Sequence, residues 1–216
     1  MKWEAAVFDM DGTLIDSLAD MTSSVNRILA GAGYPLRTLD EIRQFVGNGA
    51  RLLVKRSLPE NIPDGEADKL FQLYKKDYQE HLLDETVPYN GILPLLEKLK
   101  GKGTRLAVLS NKPHDSAVRI CNTLFPGMFE IAWGDRPNVP KKPDPTAVWM
   151  ALEKMGVARD RAVYIGDSET DIRTAKNAGL CAVGVLWGFR DEKVLITEKA
   201  DYICHTVKEL ELLLTT

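Results

Sequence analysis

The chain has little of what would place it outside an ordinary globular fold. Cysteine occurs only at Cys121, Cys181 and Cys204, and an odd, widely spaced set builds neither a disulfide framework nor a thiolate metal site. Cys121 and Cys181 fall in helix-like and strand-like segments, where buried thiols are expected. No apolar run approaches the ~18 residues needed to cross a bilayer. Basic residues are not in excess: 28 Lys and Arg stand against 31 Asp and Glu, for a net charge of −3. That balance, with a pI near 5.7, argues against a nucleic-acid partner or a basic membrane-surface tail. The amino terminus enters its first strand after about three residues, which leaves no room for a signal peptide. Internal repeats and low-complexity tracts are missing too. Together these absences lead us to expect a soluble protein of a reducing cytoplasm. Separately, a monomer or homodimer is expected.

Hydrophobic residues make up 44% of the 216 positions, enough for one large domain or a core carrying a smaller insertion. A short apolar strand, Ala5 to Phe8, opens the chain. Leu18, Met21, Val25, Ile28 and Leu29 then recur at helical spacing, predicting a helix over 16–32 that Gly31 to Pro35 stops. Further helices are predicted over 39–46, 50–58 and 66–82, with Gly47-Asn48-Gly49 interrupting the first two. From Leu93 the pattern alternates. Helices over 93–100, 116–124, 146–155, 172–178 and 207–214 are interleaved with strands over 104–109, 129–133, 162–165, 180–185 and 202–204. Such alternation predicts an α/β fold, a Rossmann-like parallel sheet with helices on both faces. The purely helical block interrupts it as an insertion. The expected domains are a core of 1–15 with 85–216 and an all-helical cap of 16–84.

The chemistry gathers just past the strands. Asp9 and Asp11 follow Phe8 one residue apart, and Gly12 and Thr13 come at once after them. In an α/β sheet, functional groups collect beyond the carboxyl ends of the strands. Side chains two apart on an extended segment share a side. Carboxylates roughly 5 Å apart repel by about 3 kcal/mol at an effective dielectric near 20, so the pair calls for a cation or a shared proton. A surface Asp-x-Asp-Gly turn has the same composition. Ser110-Asn111-Lys112 follows the second strand, where a hydroxyl and backbone amides can hold phosphate oxygens or simply cap a helix. Lys141 and Lys142 sit in the proline-stiffened stretch Pro140 to Pro145, which fixes where they point. Asp167 ends the 162–165 strand as Asp9 ends the first, and Asp171 follows one helical turn later. Acids, a lysine and a hydroxyl converging on neighbouring strand ends provide oxygen ligands for Mg²⁺ and donors for a phosphate.

Asp9-x-Asp11-Gly-Thr13, Ser110-Asn111-Lys112, Lys142-Pro-Asp-Pro145 and Gly166-Asp167-Ser-x-x-Asp171 resemble, in order, the four motifs of the haloacid dehalogenase superfamily of phosphatases. Within it the chain looks most like the phosphoglycolate phosphatases. The features that carry this are the helical insertion, Phe45-Val-Gly-Asn-Gly-Ala50, Pro88-Tyr-Asn-Gly91, Asn111-Lys-Pro113 and Val185-Leu-Trp-Gly-Phe-Arg190. The resemblance implies that Asp9 is the nucleophile and Asp11 the general acid, then base. It implies Mg²⁺ on Asp9, the main-chain carbonyl of Asp11 and Asp167. Asp171 is implied as a further metal-site residue, orienting Lys142 or a metal-bound water. Ser110 and Asn111, with Thr13, would bind the phosphoryl group, and Lys142, rather than Lys141, would neutralise it. From the cap, Gly47, Asn48, Gly49 and Arg51 are the expected substrate contacts, while Lys55 reads as part of a solvated helix face. The resemblance implies a small phosphorylated metabolite as substrate, 2-phosphoglycolate first. Alternatives are a pyrophosphatase, a sugar-phosphate phosphatase or phosphomutase of the same superfamily, and a non-catalytic phospho-accepting receiver.

Overall fold

Ala5–Phe8 (β1) is wholly buried, because hydrogen-bonded strands flank it on both sides and helices cover the sheet. In the computed structural model, which describes residues 3–63 and 65–216, β1 lies inside a six-stranded sheet. The other members are Arg105–Pro113 (β4), Ile131–Asp135 (β5), Ala162–Gly166 (β6), Cys181–Val185 (β7) and Tyr202–Cys204 (β8), in the order β5-β4-β1-β6-β7-β8. Every pairing is parallel. Register places Phe8 opposite both Val108 and Ile165, so the turn after β1 sits beside the ends of β4 and β6. Ile15–Asp16 (β2) and Val87–Pro88 (β3) form a separate two-stranded sheet.

Strand alternation sorts the sheet's two faces. Val7, Ala107, Leu109, Tyr164 and Ala182 pack in one core with Val148, Ala151, Leu152 and Met155 of Thr146–Met155 (α7) and Ile172, Ala175 and Ala178 of Glu169–Ala178 (α8). Ala6, Phe8, Leu106, Val108, Val163 and Ile165 are equally buried and point the other way. There Phe8 meets Phe129 edge-on at 6.5 Å. Buried aliphatic side chains such as these contribute roughly 1.5–3 kcal/mol each on leaving water.

The chain divides into two compact units. One is the chain up to Asp16 together with Pro88–Thr216, and the other is Ser17–Val87. The second unit is all-helical: Leu18–Gly31 (α1), Leu39–Phe45 (α2), Ala50–Ser57 (α3) and Glu66–His81 (α4). Thr38 and Glu41 close a capping box at the start of α2. Arg27 on α1 grips Asp77 on α4 through Nε and Nη2 at 2.7–3.0 Å. Buried Asp20 accepts the Glu85 and Thr86 N–H groups and the Thr86 hydroxyl at 2.6–3.1 Å, tying the start of α1 to the segment that leaves the unit.

The structure differs from the sequence expectations in several places, among them the short paired strands β2 and β3, which were not expected. Glu192–Thr197 forms a short helix (α9), unforeseen because six residues with only Leu195 buried carry no readable period. β4 runs on through Pro113 instead of ending at Leu109, with a register shift over the added residues. Ser110, Asn111 and Lys112 are polar yet buried, which a hydropathy pattern reads as a strand end. Lastly, Cys121 and Cys204 are the buried thiols, whereas Cys181, at the start of β7, is half-buried. Burial pushes the Cys121 thiol up to about 12, which leaves it inert at neutral pH.

Candidate active site

Asp9 is held in place by the sheet itself: its N–H donates to the Ile165 carbonyl at 2.8 Å, extending the β1–β6 ladder by one bond. Its carboxylate is buried, and Oδ1 lies 2.7 Å from Lys142 Nζ. The same ammonium lies 2.7 Å from Asp171 Oδ1, so one buried lysine bridges two acids. Burial is the main cause that pushes the Asp9 carboxyl up to about 7; Asp171 adds to it and Lys142 opposes it. Asp167, at the end of β6, is also driven well above the carboxylate range, first by burial and then by Asp171 and Asp9. Lys142 is raised as well, which for a lysine favours the charged form. Asp171 and Asp9 outweigh burial and hold its ammonium well above the usual value.

Asp171 is the best-anchored member. It occupies the third position of α8, where its Oδ2 accepts the Ser168 N–H at 3.1 Å and the Ser168 hydroxyl at 2.6 Å. The capping role and the site role therefore fall on one side chain. Both of its oxygens are engaged, by Ser168 and Lys142, and this suits it to orienting Lys142. Asp9, Asp167 and Asp171 each present an oxygen to a common point, all within 4.8 Å of one another. Three buried carboxylates against one ammonium leave uncompensated negative charge in a dry site, and hard oxygen donors are what Mg²⁺ prefers. The residues present fit a divalent cation.

Asp11 stands apart from that cluster. Its Oδ1 pairs with Lys112 Nζ at 2.8 Å, and the lysine side chain is 3% exposed. Gly12, at φ +82°, makes the turn that follows the two acids; any Cβ there would strike the Asp167 carboxylate. The two adjacent lysines of the proline-stiffened loop separate sharply: Lys142 is buried on the acids, while Lys141 reaches outward to Asp135 at 2.7 Å. Asn111, expected on the phosphoryl group, is bonded to the backbone of the lysine loop. Its Oδ1 accepts the Lys142 N–H at 3.0 Å and its Nδ2 donates to the Lys142 carbonyl at 3.2 Å, clamping the loop that carries the lysine. Ser110 Oγ accepts the Lys112 N–H at 3.2 Å.

A family model for haloacid dehalogenase-like hydrolases matches residues 6–185. The chain belongs to the haloacid dehalogenase-like hydrolases. Two relatives of this hydrolase are named phosphoglycolate phosphatase. That of Agrobacterium fabrum is 35% identical over 191 residues, covering 86% of this chain and 82% of its own. That of Pseudomonas savastanoi pv. phaseolicola is 31% identical over 212 residues, covering 94% and 77%. A crystal structure from Lactobacillus delbrueckii subsp. bulgaricus is 35% identical and superposes with a TM-score of 0.93 over 99% of each chain.

Within this hydrolase the structure brings Asp9, Asp167, Asp171 and Lys142 into direct contact or close approach, with Asn111 bonded to the lysine loop. The helical unit supplies its own account of Arg51, whose guanidinium pairs with Asp68 and lies 4.7 Å from the Phe71 ring centroid. Gly49 sits at the head of α3 with φ +93°. Sequence reasoning gave no role to Lys112, although the polar run Asn111-Lys112-Pro113 was visible. Nor did it assign one to Tyr164, whose ring lies 5.8 Å from Lys142 Nζ and whose hydroxyl donates to the Leu109 carbonyl at 3.3 Å. Tyr164 reads from sequence as plain strand.

Proposed function

We propose that the chain is a Mg²⁺-dependent phosphomonoester hydrolase that works through an aspartyl-phosphate on Asp9, with 2-phosphoglycolate as its substrate. The observation that carries this is the division of labour between two acids one residue apart. Asp9 is buried against Lys142 and two more carboxylates, whereas Asp11 is turned away onto Lys112. A nucleophile needs a cation beside it, which Lys142 supplies at the first position and a metal on the surplus carboxylates would complete, and a proton carrier needs to stand beyond it. In the first step an Asp9 oxygen bonds to phosphorus, the bond from phosphorus to the substrate oxygen breaks, and Asp11 gives that oxygen its proton. In the second, Asp11 takes a proton from water, the water oxygen bonds to phosphorus, and the bond to Asp9 breaks. Lys142 neutralises charge on the transferring group throughout, held by Asp171 and by the Asn111 clamp. A cation on Asp9 and Asp167, with the Asp11 carbonyl, would offset the repulsion between an anionic nucleophile and a phosphate dianion.

The helical unit is proposed as a cap that excludes water and contributes Gly47, Asn48 and Gly49 to the substrate's carboxylate; Arg51, already paired with Asp68, is the weaker donor. The names of the relatives support phosphoglycolate. The test is a comparison of kcat/KM with Mg²⁺ over phosphoglycolate, pyrophosphate, a hexose phosphate and p-nitrophenyl phosphate. Phosphoglycolate should lead. Preference for pyrophosphate or the sugar phosphate would overturn the substrate while leaving the chemistry. No phosphate release from any of them would favour a phospho-accepting module.

A further inference from the structure

The segment Leu186 to Arg190, after β7, does nothing in the mechanism above, yet it touches the site from a third side. Trp187 Nε1 donates to the Thr13 carbonyl at 3.0 Å, gripping the turn that follows Asp9 and Asp11. Two residues on, the Phe189 N–H donates to Asp167 Oδ2 at 2.7 Å. Between them, Gly188 lies so close that a Cβ on it would overlap both the Gly12 carbonyl oxygen and Asp167 Cβ. Gly12 in turn has no room for a Cβ against the Asp167 carboxylate. The turn after β1, the end of β6 and this segment are therefore mutually close-packed. Arg190 closes the far end through Glu169 of α8 at 3.1 Å.

We infer that the 186–190 segment is a positioning element for the metal site, in which the Phe189 N–H and the Gly188 close approach fix the Asp167 carboxylate while Trp187 braces the Gly12–Thr13 turn against it. The reasoning is that of any outer shell around a metal. A carboxylate ligand with one oxygen held by a rigid N–H keeps its orientation, and loss of such a partner typically weakens metal binding 10- to 100-fold. Here the donor is a backbone amide, so side-chain substitution at 189 would not remove it; the geometry has to be disturbed through the neighbours.

The inference rests on the proposed metal-dependent reading, and calorimetric titration of the purified protein with Mg²⁺ distinguishes the two. Gly188→Ala is expected to weaken Mg²⁺ binding by at least tenfold. Trp187→Phe keeps an aromatic side chain, loses the N–H together with the five-membered ring, and adds no atom to a crowded position, so it is expected to fold even if Gly188→Ala does not, and should weaken binding about threefold or more. Mg²⁺ should also perturb the fluorescence of Trp187, a change absent from Trp187→Phe. Wild-type Mg²⁺ affinity in the variants, with only their melting temperatures lowered, would overturn the inference and leave the metal-dependent reading intact. A wild-type protein that binds no Mg²⁺ would overturn both.

Discussion

Lys142 and Lys141 show how much one residue of offset decides. Adjacent on a stiff loop, one ammonium is buried on Asp9 and Asp171 and the other is solvated beside Asp135. Lys142→Met should therefore lower kcat/KM by on the order of 3 kcal/mol, the scale for removing one preorganised charge donor. Lys141→Met should cost under about 1 kcal/mol, as for an exposed ion pair. Steady-state kinetics on both variants settles it, and the opposite ranking would transfer the role to Lys141. Asn111 extends the argument, because its amide holds the Lys142 peptide at both ends. Asn111→Ala should lose about 1–3 kcal/mol, chiefly in kcat, and should add little once Lys142 is already Met. A rise confined to KM would return Asn111 to the phosphoryl group. Sequence alone could favour Lys142, since it directly precedes the Pro-Asp-Pro. It could not show Asn111 turned onto the lysine's backbone, because 31 residues of chain separate them and only the β4–β5 crossover brings them together.

At the scale of elements, what the sequence made legible follows from periodicity. Thr146–Met155 appears where its apolar spacing and terminal Gly156 put it, and the strand Tyr202–Cys204 likewise. The acids at the ends of β1 and β6 were legible because each apolar run stops abruptly at charge. The end of β4 was not, for the opposite reason: Ser110, Asn111 and Lys112 are polar groups that stay in the strand because partners far along the chain satisfy them. Asp20 is a similar case, an acid on the buried face of α1 that periodicity would place outside. Its carboxylate is the acceptor for two backbone N–H groups and a hydroxyl. Asp20→Ala should thus destabilise the protein by about 2–4 kcal/mol, since the Glu85 and Thr86 donors are left without it. Urea unfolding measures this. A change below about 0.5 kcal/mol would mean that water replaces the carboxylate at no cost.

Over the whole molecule, the carboxylates that suit the site to its chemistry burden the fold. Asp9 is raised from an ordinary 3.8 to about 7, and Asp167 is raised well above the same starting point. A carboxyl with a higher pKa folded than unfolded binds more protons in the native state between those two values. The stability of the metal-free protein must then fall as pH rises from about 4 towards 7. This is the reverse of the salt-bridged acids Asp77 and Glu130, whose lowered pKa values favour the fold once the pH exceeds the ordinary carboxylate range. Those two are partly or largely exposed and act at lower pH, so the site should dominate near neutrality. A cation that binds the ionised carboxylates of the native state adds stability by mass action, and it competes with protons. Mg²⁺ should therefore raise the melting temperature clearly at pH 8 and little at pH 5. Asp167→Asn supplies the decisive comparison. The amide oxygen can still accept the Phe189 N–H, but one buried charge and one ligand are gone. The metal-free variant should melt higher than metal-free wild type at pH 8, and Mg²⁺ should no longer shift it. If Asp167→Asn instead melts lower and keeps the full Mg²⁺ shift, Asp167 is a structural acid and the cation binds elsewhere.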